Sequence, residues 1–287
     1  LPTQSEVSNF INTTSDNKNR VLAGFIRDGS LSGGWGYWWS TGYNGSGTPV
    51  VMFAGGGIEW TMNYGDKSYG YSMRCIYDIT MQNIPALTLA NLMPNDGDST
   101  SLKDRRDNNE YRITKISGAY WMTQNLRIMG TISAADSNFI GADFNISAGG
   151  QLTASSYTEP RATYDDNIFK GAWYNYCAAT AGSVCDDKKA INPQGDICPA
   201  GWRLPTLSEL QIIENSNGAN WYFIVGSGEF QDGRQYGNSE YGFWWSSTIY
   251  RGGRSYYLSG KANSSDFNTS YKGNNYGLSI RCIFYGS

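Results

Sequence analysis

The chain carries an internal repeat whose first copy starts partway through. Leu1-Pro2-Thr3-Gln4-Ser5-Glu6 reproduces the frame of Leu204-Pro205-Thr206-Leu207-Ser208-Glu209. Gly36-Tyr37-Trp38-Trp39-Ser40-Thr41 matches Gly242-Phe243-Trp244-Trp245-Ser246-Ser247, and Tyr71-Ser72-Met73-Arg74-Cys75-Ile76 matches Gly277-Leu278-Ser279-Ile280-Arg281-Cys282-Ile283 with one residue of slack. Ordered self-similarity of this kind means that one architecture is used twice. Residues 1–78 therefore read as the C-terminal half of a first module and 105–287 as a complete second module. Between them, 79–104 loses periodicity, gathers Pro, Asn and Asp, and reads as a linker.

Local patterns fill in each module. Thr206 and Glu209 have the spacing of a capping box, and Leu207, Leu210 and Ile213 recur on one face of the helix that would follow. Thr3 and Glu6 repeat the signal, so the first module is expected to open with a helix over 3–11. Strands are expected at 37–41, 50–54, 58–63 and 72–77, separated by Gly-rich turns. Neighbouring strand positions face opposite ways. One of Trp38 and Trp39, and one of Trp244 and Trp245, should thus enter the core while the other meets a second layer or solvent, and truncating one of Trp244 and Trp245 should cost far more than truncating the other. A hairpin is expected from 111–116 to 119–126 across Ser117-Gly118. Residues 130–161 show little apolar rhythm and read as a polar loop.

Charge and residue types exclude several functions. The net charge of −3 comes without basic runs, which argues against nucleic acid and against a polybasic membrane patch. No apolar stretch approaches the roughly 20 residues that span a bilayer. An export signal or anchor is expected upstream of Leu1. Histidine is absent, which removes the usual general base near neutral pH and the commonest transition-metal ligand. No metal site or other cofactor is expected. Calcium at the Asp165-Asp166 or Asp96-Asp98 loops is the alternative to solvated turns, although neither has EF-hand spacing. Glu159-Pro160-Arg161 only approaches a sugar-lectin motif, and no two carboxylates stand out as a glycosidase pair. No catalytic residue is assigned. The five cysteines, at 75, 177, 185, 198 and 282, form no Cys-x-x-Cys pair, so a disulfide framework is the better reading. A Cys177–Cys185 bridge would staple a short loop; two free thiols are the alternative.

Four ordered motifs carry a resemblance: Tyr120-Trp121-Met122-Thr123-Gln124-Asn125-Leu126, then Cys198-Pro199-Ala200-Gly201-Trp202-Arg203-Leu204-Pro205-Thr206, then Trp244-Trp245-Ser246-Ser247, then Ile280-Arg281-Cys282-Ile283. Together they resemble the Fibrobacter succinogenes major paralogous domain family over nearly all of the second module. The resemblance implies an α+β, C-type lectin-like fold of short antiparallel strands with one or two helices per module, stapled by disulfides. It also implies a bacterial protein, secreted or on the cell surface, credited with adhesion and without established catalytic residues. A lectin-like fold would bring Cys198, at the helix start, to Cys282, in the last strand. One departure is Tyr120, where many relatives have cysteine. The fold's likeness to formylglycine-generating enzymes raises an oxidase alternative, which needs a pair of reactive cysteines.

The expected function is non-catalytic binding of a glycan or a surface protein. The residues expected to carry it are Tyr250, Arg251, Arg254, Tyr256 and Tyr271, in an aromatic and polar tract suited to rigid contact area and adaptable hydrogen bonding. A structural subunit of an extracellular filament or surface layer is the alternative, and a module diversified in its C-terminal loops is a third. The incomplete first module is expected to need a partner: the upstream part of the same protein, nicked after an arginine and held by a disulfide to Cys75, or a strand donated by a neighbouring subunit. In that reading Cys75 has no partner within this chain.

Overall fold

The computed structural model describes residues 3, 25–27, 30–32, 35–55, 58–72, 79–148, 161–164, 171–186, 191–216, 227–237, 240–262, 264 and 266–285. The chain divides after Asp78 into two compact units, Leu1–Asp78 and Ile79–Ser287. Both are made of short, mostly antiparallel strands, and the described helices are few, so the class is α+β. The helix expected over 3–11, the strand expected beyond Ser72, and Cys75 lie outside the described residues, Thr3 apart.

In the first unit β1 (Trp35–Tyr43), β2 (Pro49–Gly55) and β3 (Ile58–Tyr64) form an antiparallel meander. Trp38, Val50, Val51 and Met52 are buried. A separate small sheet pairs Phe25–Arg27 with both Ser30–Ser32 and Gly70–Tyr71.

The second unit starts earlier than the composition suggests. Residues 79–104 are not a linker. They contain α1 (Ala86–Leu92) and β4 (Ser99–Lys103), and β4 pairs along its whole length with β5 (Glu110–Ile116). Met81, Ile84, Leu89, Met93 and Leu102 enter the main core, and Trp202 Nε1 donates to the Met81 carbonyl at 2.8 Å. At its end Asp104 and Arg106 form a fully buried ion pair, with Arg106 also donating to Ser137 Oγ and the Ile197 carbonyl. The Pro, Asn and Asp residues punctuate elements too short to display a period.

β5 turns into β6 (Ala119–Met122) through Ser117 and Gly118, both with positive φ as a tight primed hairpin turn requires. The second arm of this hairpin stops at Met122, not Leu126. The stretch 130–161 is also more structured than expected. Gly130–Ile132 pairs antiparallel with Phe144–Ala148, whose end runs parallel to Arg161–Tyr164, which in turn pairs with Ala172–Tyr174. The first two of these strands bury one described side chain each, Ile132 and Ile146, so their alternation does not emerge from the polar background.

The second meander consists of β7 (Tyr241–Arg251), β8 (Arg254–Lys261) and β9 (Phe267–Gly273). The repeat is visible here down to single hydrogen bonds. Trp39 N donates to Ser72 O at 3.1 Å, and Trp245 N to Ser279 O at 3.1 Å; Ser72 N donates to Tyr37 O, and Ser279 N to Phe243 O. Finally β10 (Ile283–Phe284) adds to the first sheet beside β6, giving the order β10-β6-β5-β4. There Tyr120 is buried and lies opposite Phe284.

Helices and disulfides tie these layers together. α2 (Tyr176–Ala179) is capped by Asn175, whose Oδ1 accepts from Ala178 N. α3 (Leu207–Asn215) starts at Thr206 with the capping box fully formed, and buries Leu210 and Ile213. Glu209 serves twice, because Arg203 grips it with two hydrogen bonds of 2.8 and 2.6 Å. Burial pushes the Glu209 carboxyl up, but Arg203 and the Thr206 amide outweigh this and hold it below its ordinary value. Cys177 is bonded to Cys185, and Cys198 to Cys282 across 84 residues.

The tryptophan pair of β7 is not asymmetric. Trp244 is 1% exposed and Trp245 0%. Trp244 packs with Leu210, Ile213, Leu258 and Phe267 under α3, while Trp245 belongs to the main core with Tyr174, Tyr176 and Leu278. The strand lies between two layers, so both of its faces are interior.

Asp196 gives this core a pH dependence. Its buried carboxylate accepts from Cys198 N, Leu204 N and Asn138 Nδ2, each at 2.9 Å. Burial raises it and these donors lower it, leaving it at about 6. A folded pKa above the unfolded one favours the native state at low pH, and that contribution is lost as pH rises through about 6, by up to about 3 kcal/mol. Asp196→Asn is expected to flatten this dependence. It should also lose stability outright by about 1–3 kcal/mol, since an amide NH2 would face a backbone donor. Thermal melts of parent and variant between pH 4 and pH 7 check this, and parallel curves would count against it.

Candidate functional site

Residues of three of the four sequence motifs meet in the interior. Asn125 Oδ1 accepts from Trp244 Nε1 and from Arg281 Nε, both at 2.8 Å, and Asn125 Nδ2 donates to Ser279 Oγ at 3.2 Å. Ser279 Oγ in turn lies 3.1 Å from Ser227 Oγ. The Arg281 guanidinium, 1% exposed, lies over the Trp244 ring at 4.9 Å, and burial pulls its pKa down. Asn125, Trp244 and Arg281 come from three separate motifs, yet they form one buried polar junction. It joins α3's layer to the main core, out of reach of any ligand. Asn125, Trp244 and Arg281 are thus structural in this chain.

The exposed candidate is the far end of the second meander. Tyr250 and Arg251 end β7, Arg254 and Tyr256 lie at the start of β8, and Tyr271 lies on β9 opposite Tyr256 in register. The three strands bring the five sequence-expected residues into one cluster. The Tyr250 and Tyr271 rings stack with centroids 3.8 Å apart and planes 5° from parallel, and Tyr256 stands edge-on to both. Arg251 lies over Tyr250 at 5.2 Å and Arg254 over Tyr271 at 5.8 Å. Tyr250 and Tyr271 are 37% and 40% exposed, both arginines are exposed, and Tyr256 is half-buried. Among the described residues neither Arg251 nor Arg254 is paired with a carboxylate.

The hairpin tip between them is held in place. Gly253 adopts φ +72°, a left-handed conformation that a side chain would strain. Its carbonyl accepts from Asn274 N at 2.9 Å, and buried Ser255 Oγ donates to Asn274 Oδ1 at 2.8 Å. These contacts tie the tip of the β7–β8 hairpin to the end of β9.

The opposite face of the same strands carries a feature that sequence reasoning missed. Lys272, next to Tyr271, points the other way, into a box of Phe243, Tyr257 and Tyr276 at 4.5, 5.2 and 5.2 Å, and is ion-paired with Glu229. Burial pulls its amine down to about 8. The only signal in the sequence was the alternation Tyr271-Lys272, which says that the two face apart. Phe267, part of the same expected surface tract, is instead buried against Trp244.

The first unit varies this theme. Register equates Trp39↔Val51 with Trp245↔Tyr257, and so Val50↔Tyr64 with Tyr256↔Tyr271. Val50 replaces Tyr256, and the hairpin tip is a polar turn in which Asn44 Oδ1 accepts from Ser46 N and Thr48 N. Tyr43 and Tyr64 are each 63% exposed, with Lys67 5.8 Å above Tyr43. Thr48, Pro49, Tyr64, Asp66 and Lys67 line an open groove there. It lacks the paired arginines.

Other sequence candidates find different roles. Asp98 Oδ2 accepts from Asn95 N, and Asp96 Oδ1 accepts from Gly118 N at the hairpin turn, so both carboxylates serve backbone amides. Asp165 and Asp166 lie outside the described residues. Among the described residues no cluster of three or more Cys, Asp or Glu could hold a metal ion. All four described cysteines are disulfide-bonded. Compared with known proteins, the chain matches no family model, no curated protein and no solved structure.

Proposed function

We propose that this protein is a non-catalytic, adhesin-type binding module that recognises a glycan or a surface protein outside the cell, and that its contact face is the platform of Tyr250, Arg251, Arg254, Tyr256 and Tyr271. The observation that carries this reading is the stack itself. Two tyrosines and two arginines are exposed together around a half-buried third tyrosine and ordered by one another, and neither arginine is paired with a carboxylate among the described residues. Tyr and Arg are the residue types that dominate binding hot spots. Two disulfides support an oxidising compartment, and among the described residues no helix is long and apolar enough to cross a membrane. The resemblance to the Fibrobacter paralogous family rests on its motifs alone. A lectin-like fold for the second unit is supported by the bridge from Cys198, in the short strand Asp196–Pro199 ahead of α3, to Cys282, just before the closing strand, and by the meander that carries the platform.

Replacing Tyr250, Arg251, Arg254 and Tyr271 together by alanine is expected to leave the melting temperature near the parent's and to weaken binding about 100-fold or more. A glycan array and whole-cell binding, each run with both proteins, check this. Unchanged binding of every ligand by the variant would refute the platform reading. Ordered polymers of the purified parent, without capture of any ligand, would favour a filament subunit instead.

A further inference from the structure

We propose that the open groove of the first unit is a second binding site, which takes a neutral sugar ring of a glycan packed on Tyr64 and hydrogen-bonded by Asp66 and Lys67. This rests on the reading of the protein as a glycan-binding adhesin and adds a site that shares no residue with the platform. Tyr64 and Tyr43 are the most exposed aromatic residues among those described, at 63% each. The internal repeat shows why Tyr64 stands open. Its counterpart in register, Tyr271, is covered by the Tyr250 ring at 3.8 Å. In the same register Asn44 stands where the second unit has Tyr250, so the ring that would cover Tyr64 is missing, and among the described residues no other ring is stacked on it.

Around Tyr64 the groove is completed by Ser46, Thr48, Pro49, Asp66 and Lys67, and its volume of about 430 Å3 lies within the range of small-molecule sites. Its walls are held by local bonds. Asp66 Oδ1 accepts from Ser68 N at 2.9 Å and from Ser68 Oγ at 2.8 Å, and Gly65 N donates to the Pro49 carbonyl at 2.8 Å. Gly65 passes so close to Tyr71 and Val51 that a Cβ there would lie 2.6 and 2.7 Å from their side chains. Lys67 rests over the Tyr43 ring.

The polar pair sets the ligand class. A carboxylate only accepts and an ammonium only donates, whereas a hydroxyl does both. Neighbouring hydroxyls of one sugar ring therefore satisfy Asp66 and Lys67 together, while the apolar C–H face of the ring packs on Tyr64. An acidic sugar would meet the Asp66 carboxylate and a cationic one the Lys67 ammonium, so the groove favours a neutral ring. At the places of Asp66 and Lys67 the second unit has Gly273 and Asn274, and Asn274 is buried and bonded to Ser255. The chemistry of this groove is thus confined to the first unit.

The test is affinity electrophoresis of the full chain in gels containing a xyloglucan, a galactomannan, a mixed-linkage β-glucan or, as the charged control, polygalacturonate. At least one neutral polysaccharide is expected to retard the chain more than polygalacturonate does. Tyr64→Ala, Asp66→Asn and Lys67→Met should each weaken that retardation about tenfold. Tyr64→Phe, which keeps the packing face, should stay within about twofold of the parent. The variant with alanine at Tyr250, Arg251, Arg254 and Tyr271 should be retarded like the parent. No retardation by any neutral polysaccharide, or stronger retardation by polygalacturonate, would overturn the proposal. Retardation lost in the platform variant but kept in Tyr64→Ala would also overturn it, while leaving the platform as the binding face. Retardation unchanged in both would remove both sites.

Discussion

Replacing either Trp244 or Trp245 by alanine is expected to cost the second unit about 3–5 kcal/mol, with similar losses for the two. Each ring is fully buried, but in a different layer, so each substitution opens a cavity that the other does not share. Each also removes one of two donors to a buried acceptor: Trp245 Nε1 donates to the Tyr174 carbonyl at 2.7 Å beside Leu278 N, and Trp244 Nε1 donates to Asn125 Oδ1 beside Arg281 Nε. Domains of this size are stable by only about 5–15 kcal/mol in total, so either variant should be largely unfolded well below the parent's urea midpoint. Urea titrations followed by tryptophan fluorescence and by circular dichroism check this. A mild effect from one ring and a severe one from the other would show that β7 has a solvent face after all.

The second large effect belongs to the long disulfide. Closing a loop of 84 residues restricts the unfolded chain enough to contribute roughly 4.5 kcal/mol on the loop-entropy relation, against roughly 2.5 kcal/mol for the eight-residue Cys177–Cys185 loop. Replacing Cys198 and Cys282 together by alanine should therefore lower the denaturation midpoint nearly twice as far as the same change at 177 and 185. Two double variants, melted under non-reducing conditions, give the comparison. A larger loss from the short loop would mean that the long bridge is strained or that the unfolded chain stays compact.

How much of this was legible beforehand depended on element length and on chemistry that acts locally. The capping box at Thr206 and Glu209 formed as spaced because both of its hydrogen bonds lie within four residues. The hairpin through Ser117-Gly118 formed because its turn residues specify it. The stretches 79–104 and 130–161 were misread because their strands hold at most a few inward residues, and tertiary contacts such as Trp202 to Met81 fix them. Alternation foretold that Trp244 and Trp245 would point apart, but not that both sides would be covered, since covering depends on distant elements. The site divided in the same way. Tyr250, Arg251, Arg254, Tyr256 and Tyr271 stood out by composition, and the meander brings them together. The Lys272 box did not stand out, because Phe243, Tyr257, Tyr276 and Glu229 meet only in three dimensions.

The bridge between Cys198 and Cys282 has a mechanical consequence. The platform, from Tyr250 to Tyr271, lies inside the covalent loop that this bond closes. Tension applied between the chain before Cys198 and the chain after Cys282 crosses the sulfur–sulfur bond and bypasses everything in the loop. The hairpins of the platform then carry only the load applied to them directly. Reduction would shift the pull onto β7, β8 and β9 and release 84 residues of hidden length. In single-molecule stretching, the oxidised chain should yield a contour shorter by that segment.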